Sequence, residues 1–293
     1  MNLAQEAMPL RGRVSFGDTD RVGGKTVLVC IDGGRLRERR PKRGRKSKGQ
    51  KRQGYHTEWK EPIQFVIHIV DPDGTISKKH LPVYDATMGG IDAAFDILEI
   101  YLRELDIPKA KRVVFCCDGA RSYWKRTGLL AKRLEIESYY EVIDYTHAKQ
   151  NLHEIVDKLP KRIPIKERNR IAESWKNLLW DGRFKDLRKE ILKHITYPKR
   201  RIEALSKFKS YFVKNRNRMQ YRQFRSLKIP TGSGCVESAI RRVINLRMKS
   251  PGIFWKPETS ESMLFLRSQL LSGRWNILTD NIFIQIRSLC LGH

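Results

Sequence analysis

Two short runs constrain this chain more than anything else in it. Thr26-Val27-Leu28-Val29-Cys30-Ile31 and Val113-Val114-Phe115-Cys116-Cys117 are apolar almost without interruption, are rich in β-branched and aromatic residues, and end on Asp32-Gly33 and Asp118-Gly119. A strand that faces water on one side alternates polar with apolar residues, so strands without alternation are covered on both faces. The expectation is an α/β chain, its sheet flanked by helices. Each aspartate then stands at the end of a core strand. Asp-Gly is also a common turn signal, and either aspartate alone reads as a turn former.

The elements around these runs fill in a sheet. Pro62 to Val70 resumes the β pattern, Asp71-Pro72-Asp73-Gly74 is a turn, and Thr75 to Tyr84 supplies a third strand, so Lys25 to Tyr84 reads as an antiparallel meander. Ile91, Phe95, Leu98, Leu102 and Leu105 mark one face of a helix closed by Pro108. Ala120 to Leu134 reads as a second helix, and Tyr139 to Asp144 as a fifth strand, also ending in an aspartate. From His147 to Leu227 the β signal disappears into successive helical faces separated at Pro160, Pro164, Asp181-Gly182 and Pro198. The division that follows is a loose leader (1–24), a sheet-bearing core (25–146, with a basic loop 35–60 inserted), a helical insertion (147–229) and closing helices (230–293). Trp59, Trp175, Trp180 and Trp255 are expected in the core.

At the end of the insertion stands Gly232-Ser233-Gly234-Cys235-Val236-Glu237-Ser238. Ser233 is a good N-cap, and Val236, Ala239, Ile240 and Val243 form the apolar stripe of a packed helix. Glu237 lies beside that stripe in the first turn, where a carboxylate either stabilises the helix dipole or serves as a metal ligand. Arg241 follows at i+4, the spacing of a helix ion pair, and Asn245 one turn later.

Composition decides the partner. Across 293 residues, 59 Lys plus Arg against 32 Asp plus Glu leave a net charge of +27. Such an excess repels itself in the folded state and points to a polyanion, with nucleic acid the default. The densest stretch, Arg35 to Arg52, contains Arg35, Arg37, Arg39, Arg40, Lys42, Arg43, Arg45 and Lys46, with Glu38 its lone acid. A hairpin extended by this loop sets these cations beside Asp32 for phosphate contact, with Tyr55 able to add base stacking. The five cysteines (30, 116, 117, 235 and 290) show no Cys-x-x-Cys or zinc spacing and read as reduced thiols. No apolar run reaches the length of a membrane span, and no signal-peptide core opens the chain, so a soluble, cytoplasmic protein is expected.

The order strand, strand, strand, helix, strand, helix, strand, helical insert, helix is that of a ribonuclease-H-like fold, a mixed five-stranded sheet in which the first and fourth strands lie side by side. Asp32 and Asp118 then meet at neighbouring strand ends, and Glu237 can supply a third carboxylate. Carboxylates in this number suit Mg²⁺, a hard cation, and two such ions serve in-line phosphodiester displacement. The blocks Val29 to Arg35, Val114 to Ala120, Val142 to Ala148 and Gly232 to Ser238 together resemble the motifs of bacterial insertion-sequence transposases of the DDE type, over residues 25 to 272. The resemblance implies a triad of Asp32, Asp118 and Glu237 that is both catalytic and metal-binding. It also implies Mg²⁺, with Mn²⁺ as a substitute, cleavage and joining of DNA strands at transposon ends, and a homo-oligomer on DNA in a bacterial cytoplasm. Such transposases carry an N-terminal DNA-recognition domain for which 24 residues are too few, so a truncated or catalytic-only product is expected.

Accessory roles fall to Asp144, as a further ligand or a helix cap, and to His147 close behind it, with Arg241 and Asn245 on the Glu237 helix. Glu258 and Glu261 are rivals for the third acid. Two other functions use the same residues: a ribonuclease-H-like nuclease without strand transfer, and a decayed or repurposed transposase that only binds nucleic acid.

Overall fold

The computed structural model describes residues 6–13, 16–17, 20–46, 48–49, 51 and 53–291. Among the described residues seven strands form two sheets: β1 (Thr26–Gly33), β2 (Leu36–Pro41), β3 (Tyr55–Lys60), β4 (Ile63–Val70), β5 (Val83–Thr87), β6 (Arg112–Cys117) and β7 (Tyr139–Ile143). The main sheet runs β5-β4-β1-β6-β7, and β2 and β3 form a separate ribbon. Strands β1, β4 and β5 pair antiparallel, whereas β1, β6 and β7 are parallel. The chain is therefore α/β with a mixed five-stranded sheet, flanked by helices.

Helices α1 (Gly90–Glu104) and α2 (Arg121–Arg133) are the crossovers that parallel pairing demands. Five more separate β7 from the glycine-led segment: α3 (Tyr145–Val156), α4 (Ile165–Trp180), α5 (Phe184–His194), α6 (Pro198–Lys207) and α7 (Tyr221–Ser226). Then α8 (Gly234–Ile240) continues through a π-helical stretch, Arg241–Asn245, into a last turn, Leu246–Met248. Helices α9 (Pro257–Leu271) and α10 (Trp275–Leu291) close the chain.

Successive strand residues point to opposite faces. Phe65 of β4 turns to one face, where its ring meets Tyr101 of α1 edge-on at 5.5 Å. Cys30 of β1 turns to the other, its sulfur 3.1 Å from that of Cys235 on α8. Val27 to Ile31 and Val113 to Cys117 are buried throughout, as their lack of alternation requires.

Four expectations change. The third strand is not Thr75 to Tyr84 but Val83–Thr87; Ile76 makes only an isolated bridge to Val70. Between them lie Lys78, Lys79, His80 and Pro82, and proline has no N–H to give a ladder. The inserted basic segment is a ribbon at both ends, registered from Leu36↔Lys60 to Pro41↔Tyr55. Leu36 and Glu38 turn inward, where Glu38 accepts the Ser260 hydroxyl at 2.8 Å. Trp59 is 54% exposed instead of core, while Trp175 is fully buried. The start of the chain is more than a loose leader: a 3-10 helix spans Met8–Arg13, Ala7 and Val22 are buried, and Arg11 grips Asp85 with two nitrogens at 2.7 and 3.1 Å. Tyr101 donates to the same carboxylate at 2.9 Å, so this buried charge is fully partnered.

Candidate active site at the strand ends

The parallel register of β1 and β6 sets Cys30 opposite Cys116. Two residues further along each strand direction come Asp32, on β1 and on the face of Cys30, and Asp118, one residue past the end of β6. That face is the one on which α8 packs, across β1 and β4. Each aspartate also secures its own turn: Asp32 accepts the Gly33 amide and Asp118 the Ala120 amide, both at 2.8 Å. The turn-forming reading of these aspartates holds.

Electrostatics ties the acids together. The Asp32 carboxyl is held above its ordinary range, first by burial, against the opposing pull of the Gly33 amide and His147, and further by the charges of Asp118 and Glu237. Glu237 is exposed and exerts the weakest of these influences. A helix turns about 100° per residue, so Glu237 lies about 100° around α8 from the buried Val236, on the flank opposite Cys235. Among the described residues no three His, Cys, Asp or Glu side chains stand at metal-holding spacing.

Asp144 is a clamp. Buried at the end of β7, it caps α3 by accepting the Thr146 and His147 amides at 3.1 and 3.4 Å. It also accepts the Ser233 amide at 3.1 Å and lies 2.8 Å from His147 Nδ1. One carboxylate thus joins β7, α3 and the approach to α8. Burial alone would raise its pKa, but His147 and the Ser233 and Thr146 amides bring it below the ordinary value. The His147 pKa is raised, chiefly by its bond to Asp144 and further by Asp32 and Asp118, so this imidazole belongs to the acidic group. Ser233 occupies the N-cap position of α8, yet its side chain makes no capping bond.

Arg241 does not pair with Glu237 among the described residues. The Arg241 amide bonds Glu237 O in a regular helical turn, the helix widens to π geometry only from Arg241 to Asn245, and Arg241 and Asn245 are both exposed. Glu261 is engaged elsewhere, accepting Thr87 Oγ1 at 2.7 Å and pairing with Arg11. Glu258 is exposed in the first turn of α9. The predicted cations follow the ribbon: Arg35 precedes it, Arg37, Arg39 and Arg40 lie on β2, and Lys42, Arg43, Arg45 and Lys46 are exposed at its far end. Its root is fixed where the Gly34 amide donates to Pro62 O at 2.8 Å, two residues beyond Asp32.

Four residues here escaped the sequence reading. Gln64, the cross-strand partner of Asp32, is fully buried with neither side-chain polar atom hydrogen-bonded. Orphaned groups of this kind cost about 1–3 kcal/mol each. One polar residue inside Ile63-Gln64-Phe65-Val66-Ile67 was the visible signal. Glu61 sits against Gly33, where a Cβ would strike its carboxylate. Tyr123 of α2 has its phenol pKa pushed up by burial and by Asp118, Cys117, Asp32 and Glu61. Tyr211, from the helical segment, donates to Asp118 O at 3.0 Å and packs over Gly119, whose φ is +101°. No local pattern announces these three, because only the fold brings them to the strand ends.

The donor set of Asp32, Asp118 and Glu237 is all oxygen, the charges of Asp118 and Glu237 help raise the Asp32 pKa, and an unsatisfied amide adjoins it. That chemistry fits a hard divalent cation. Compared with protein-family models, curated proteins and solved structures, the chain matches none.

Proposed function

We propose that this chain is the catalytic domain of a DDE-type DNA transposase with a ribonuclease-H-like core, cleaving phosphodiester bonds and joining strands at element ends. The observation that carries the reading is the placement of Asp32 and Asp118 at adjacent ends of parallel core strands, at the root of a basic ribbon, in a chain of charge +27. Asp32, Asp118 and Glu237 would hold Mg²⁺, or Mn²⁺ in its place. Bound there, the metal would activate the attacking oxygen and stabilise the leaving one. His147 offers a positive charge toward a phosphate, and the Gln64 amide an unused donor and acceptor. Tyr123 and Tyr211 wall the Asp118 side against bulk water. The ribbon cations hold the backbone of DNA, on which two copies of the chain would assemble.

Glu237 is exposed on the flank of α8, yet its charge reaches Asp32. Its exposed position favours a second reading, a nucleic-acid-binding protein without catalysis. The two separate on supercoiled plasmid DNA incubated with Mg²⁺ or Mn²⁺. Nicking by the wild type that disappears in Asp118→Asn and Glu237→Gln, with DNA binding retained, supports the enzyme. Binding without metal-dependent nicking or joining leaves only the binder. Nicking without joining of pre-cut ends reduces the enzyme to a nuclease.

A further inference from the structure

The ribbon has two chemically different faces. Its antiparallel register puts Leu36, Glu38 and Arg40 with Lys60, Glu58 and His56 on one face, and Arg37, Arg39 and Pro41 with Trp59, Thr57 and Tyr55 on the other. The first face is satisfied within the protein. Leu36 and Glu38 are buried, and Glu58 lies 3.7 Å from Arg40 and 3.1 Å from Lys60.

The second face is open. Trp59 is 54% and Tyr55 42% exposed, and Phe254 joins them with its ring 5.6 Å from that of Tyr55. Phe254 is held there because Trp255 adds to the ribbon's edge, its amide donating to Arg37 O at 2.9 Å and its carbonyl accepting from Arg39 at 2.8 Å. Cations stand among the rings: Arg37 4.6 Å from the Phe254 centroid and 5.4 Å from that of Trp59, Lys249 5.7 Å from Trp59, and Arg39 5.8 Å from Tyr55. Among the described residues none of Arg37, Arg39 and Lys249 is in an ion pair with a carboxylate.

Exposed aromatic rings beside positive charges without counter-charges are the parts of a single-strand nucleic-acid site, in which bases stack and the backbone is neutralised. A duplex presents its bases stacked on one another and offers such rings only its rim, whereas an acidic peptide would use the cations and leave three rings idle. We propose that this face of the ribbon is a platform for unpaired bases of DNA, with Trp59 and Tyr55 stacking on them and Arg39 and Lys249 meeting the phosphates, while Arg37, donating to Ser250 O at 3.0 Å, braces the rings. The inference rests on the transposase reading in one respect: the ribbon springs from Gly34, so bases held on it belong to the strand being processed at Asp32.

The test is binding, in EDTA so that no cleavage enters. Fluorescence anisotropy compares a labelled oligo(dT) strand, an oligo(rU) strand and a DNA duplex of equal length. The wild type is expected to prefer the DNA strand, and Trp59→Ala to weaken that binding by about 5- to 150-fold, the span for loss of one base–aromatic stack. Trp59→Phe should restore most of it, and duplex affinity should change by about twofold or less. Trp59 is largely exposed, so its replacement leaves the core intact, which circular dichroism checks. Unchanged strand affinity in both Trp59→Ala and Tyr55→Ala overturns the platform while duplex binding and nicking keep the transposase reading. Tighter binding of oligo(rU) overturns the choice of DNA. A wild type that binds no nucleic acid removes both.

Discussion

Replacing Asp144 should loosen three elements at once. Its carboxylate accepts amides from Thr146, His147 and Ser233 at 3.1, 3.4 and 3.1 Å and pairs with His147 Nδ1 at 2.8 Å, while its own side chain is buried. Loss of a helix N-cap costs about 1 kcal/mol. Each hydrogen bond to a charged group is worth about 1.5–3 kcal/mol, and neighbouring contributions do not simply add. Asp144→Ala is therefore expected to lower stability by about 3–5 kcal/mol, in the range for breaking a buried pair. Asp144→Asn keeps an acceptor for the Thr146 and Ser233 amides and should lose about half as much. Urea unfolding followed by circular dichroism measures both. The raised His147 pKa gives stability that is full below its unfolded value of 6.5 and fades as pH rises through the folded value. The depressed Asp144 pKa gives stability that is full above 3.8 and is lost as pH falls through the folded value. The pair is thus at full strength between those limits, and the stability gap between wild type and His147→Gln should be widest at pH 4 to 6.5 and narrow toward pH 9. A loss under about 1 kcal/mol in Asp144→Ala at pH 6, or a gap that widens on the alkaline side, would refute the clamp.

Gln64→Leu removes two buried, unsatisfied polar atoms, so urea unfolding should show equal or greater stability, by about 1 kcal/mol, while metal-dependent nicking falls; lost stability would mean the amide is satisfied. Asp85→Ala removes two of the bonds to the buried Arg11 guanidinium and leaves it Glu261; its pKa is lowered by burial but raised overall by Asp85 and Glu261, and thermal unfolding should register a loss of about 1.5–3 kcal/mol, distant from any effect on DNA binding. The Cys235 thiol pKa is lowered by its bond to Cys30, against burial, and by His68, so mass spectrometry should find Cys235 alkylated by iodoacetamide at pH 7 well before the buried Cys116 and Cys117. Gly34→Ala sets a Cβ 2.5 Å from Ile244 Cδ1, and the overpacking should cost about 1–3 kcal/mol and shift the ribbon root, read as weakened DNA binding.

The unalternated runs at β1 and β6 revealed buried parallel strands because burial on both faces leaves no polar position to misread. The helices of the insertion were legible for a related reason, their apolar faces recurring at 3.6-residue spacing. The third strand was misplaced because the stretch after the Asp71 turn has β-compatible residues at Thr75 and Ile76, and pairing is decided by the partner strand and not by propensity. Trp59 was expected inside because indole is large and apolar. Period-2 geometry put it on the outward face of a ribbon whose inward positions went to Leu36 and Glu38.

The sequence by itself determined that Asp32 and Asp118 end core strands, that a helix begins behind Gly232-Ser233-Gly234, and that the surface carries a large positive excess. These follow from local pattern and composition, which every residue carries with it. Only the tertiary structure decided that Asp144 is a clamp and that Gln64, Glu61, Tyr123 and Tyr211 gather at the acids. It also decided that Glu237 is exposed. Those outcomes depend on strand register and on the rotation of one helix against a sheet, relations between residues up to 205 positions apart, as between Cys30 and Cys235, that no local pattern encodes.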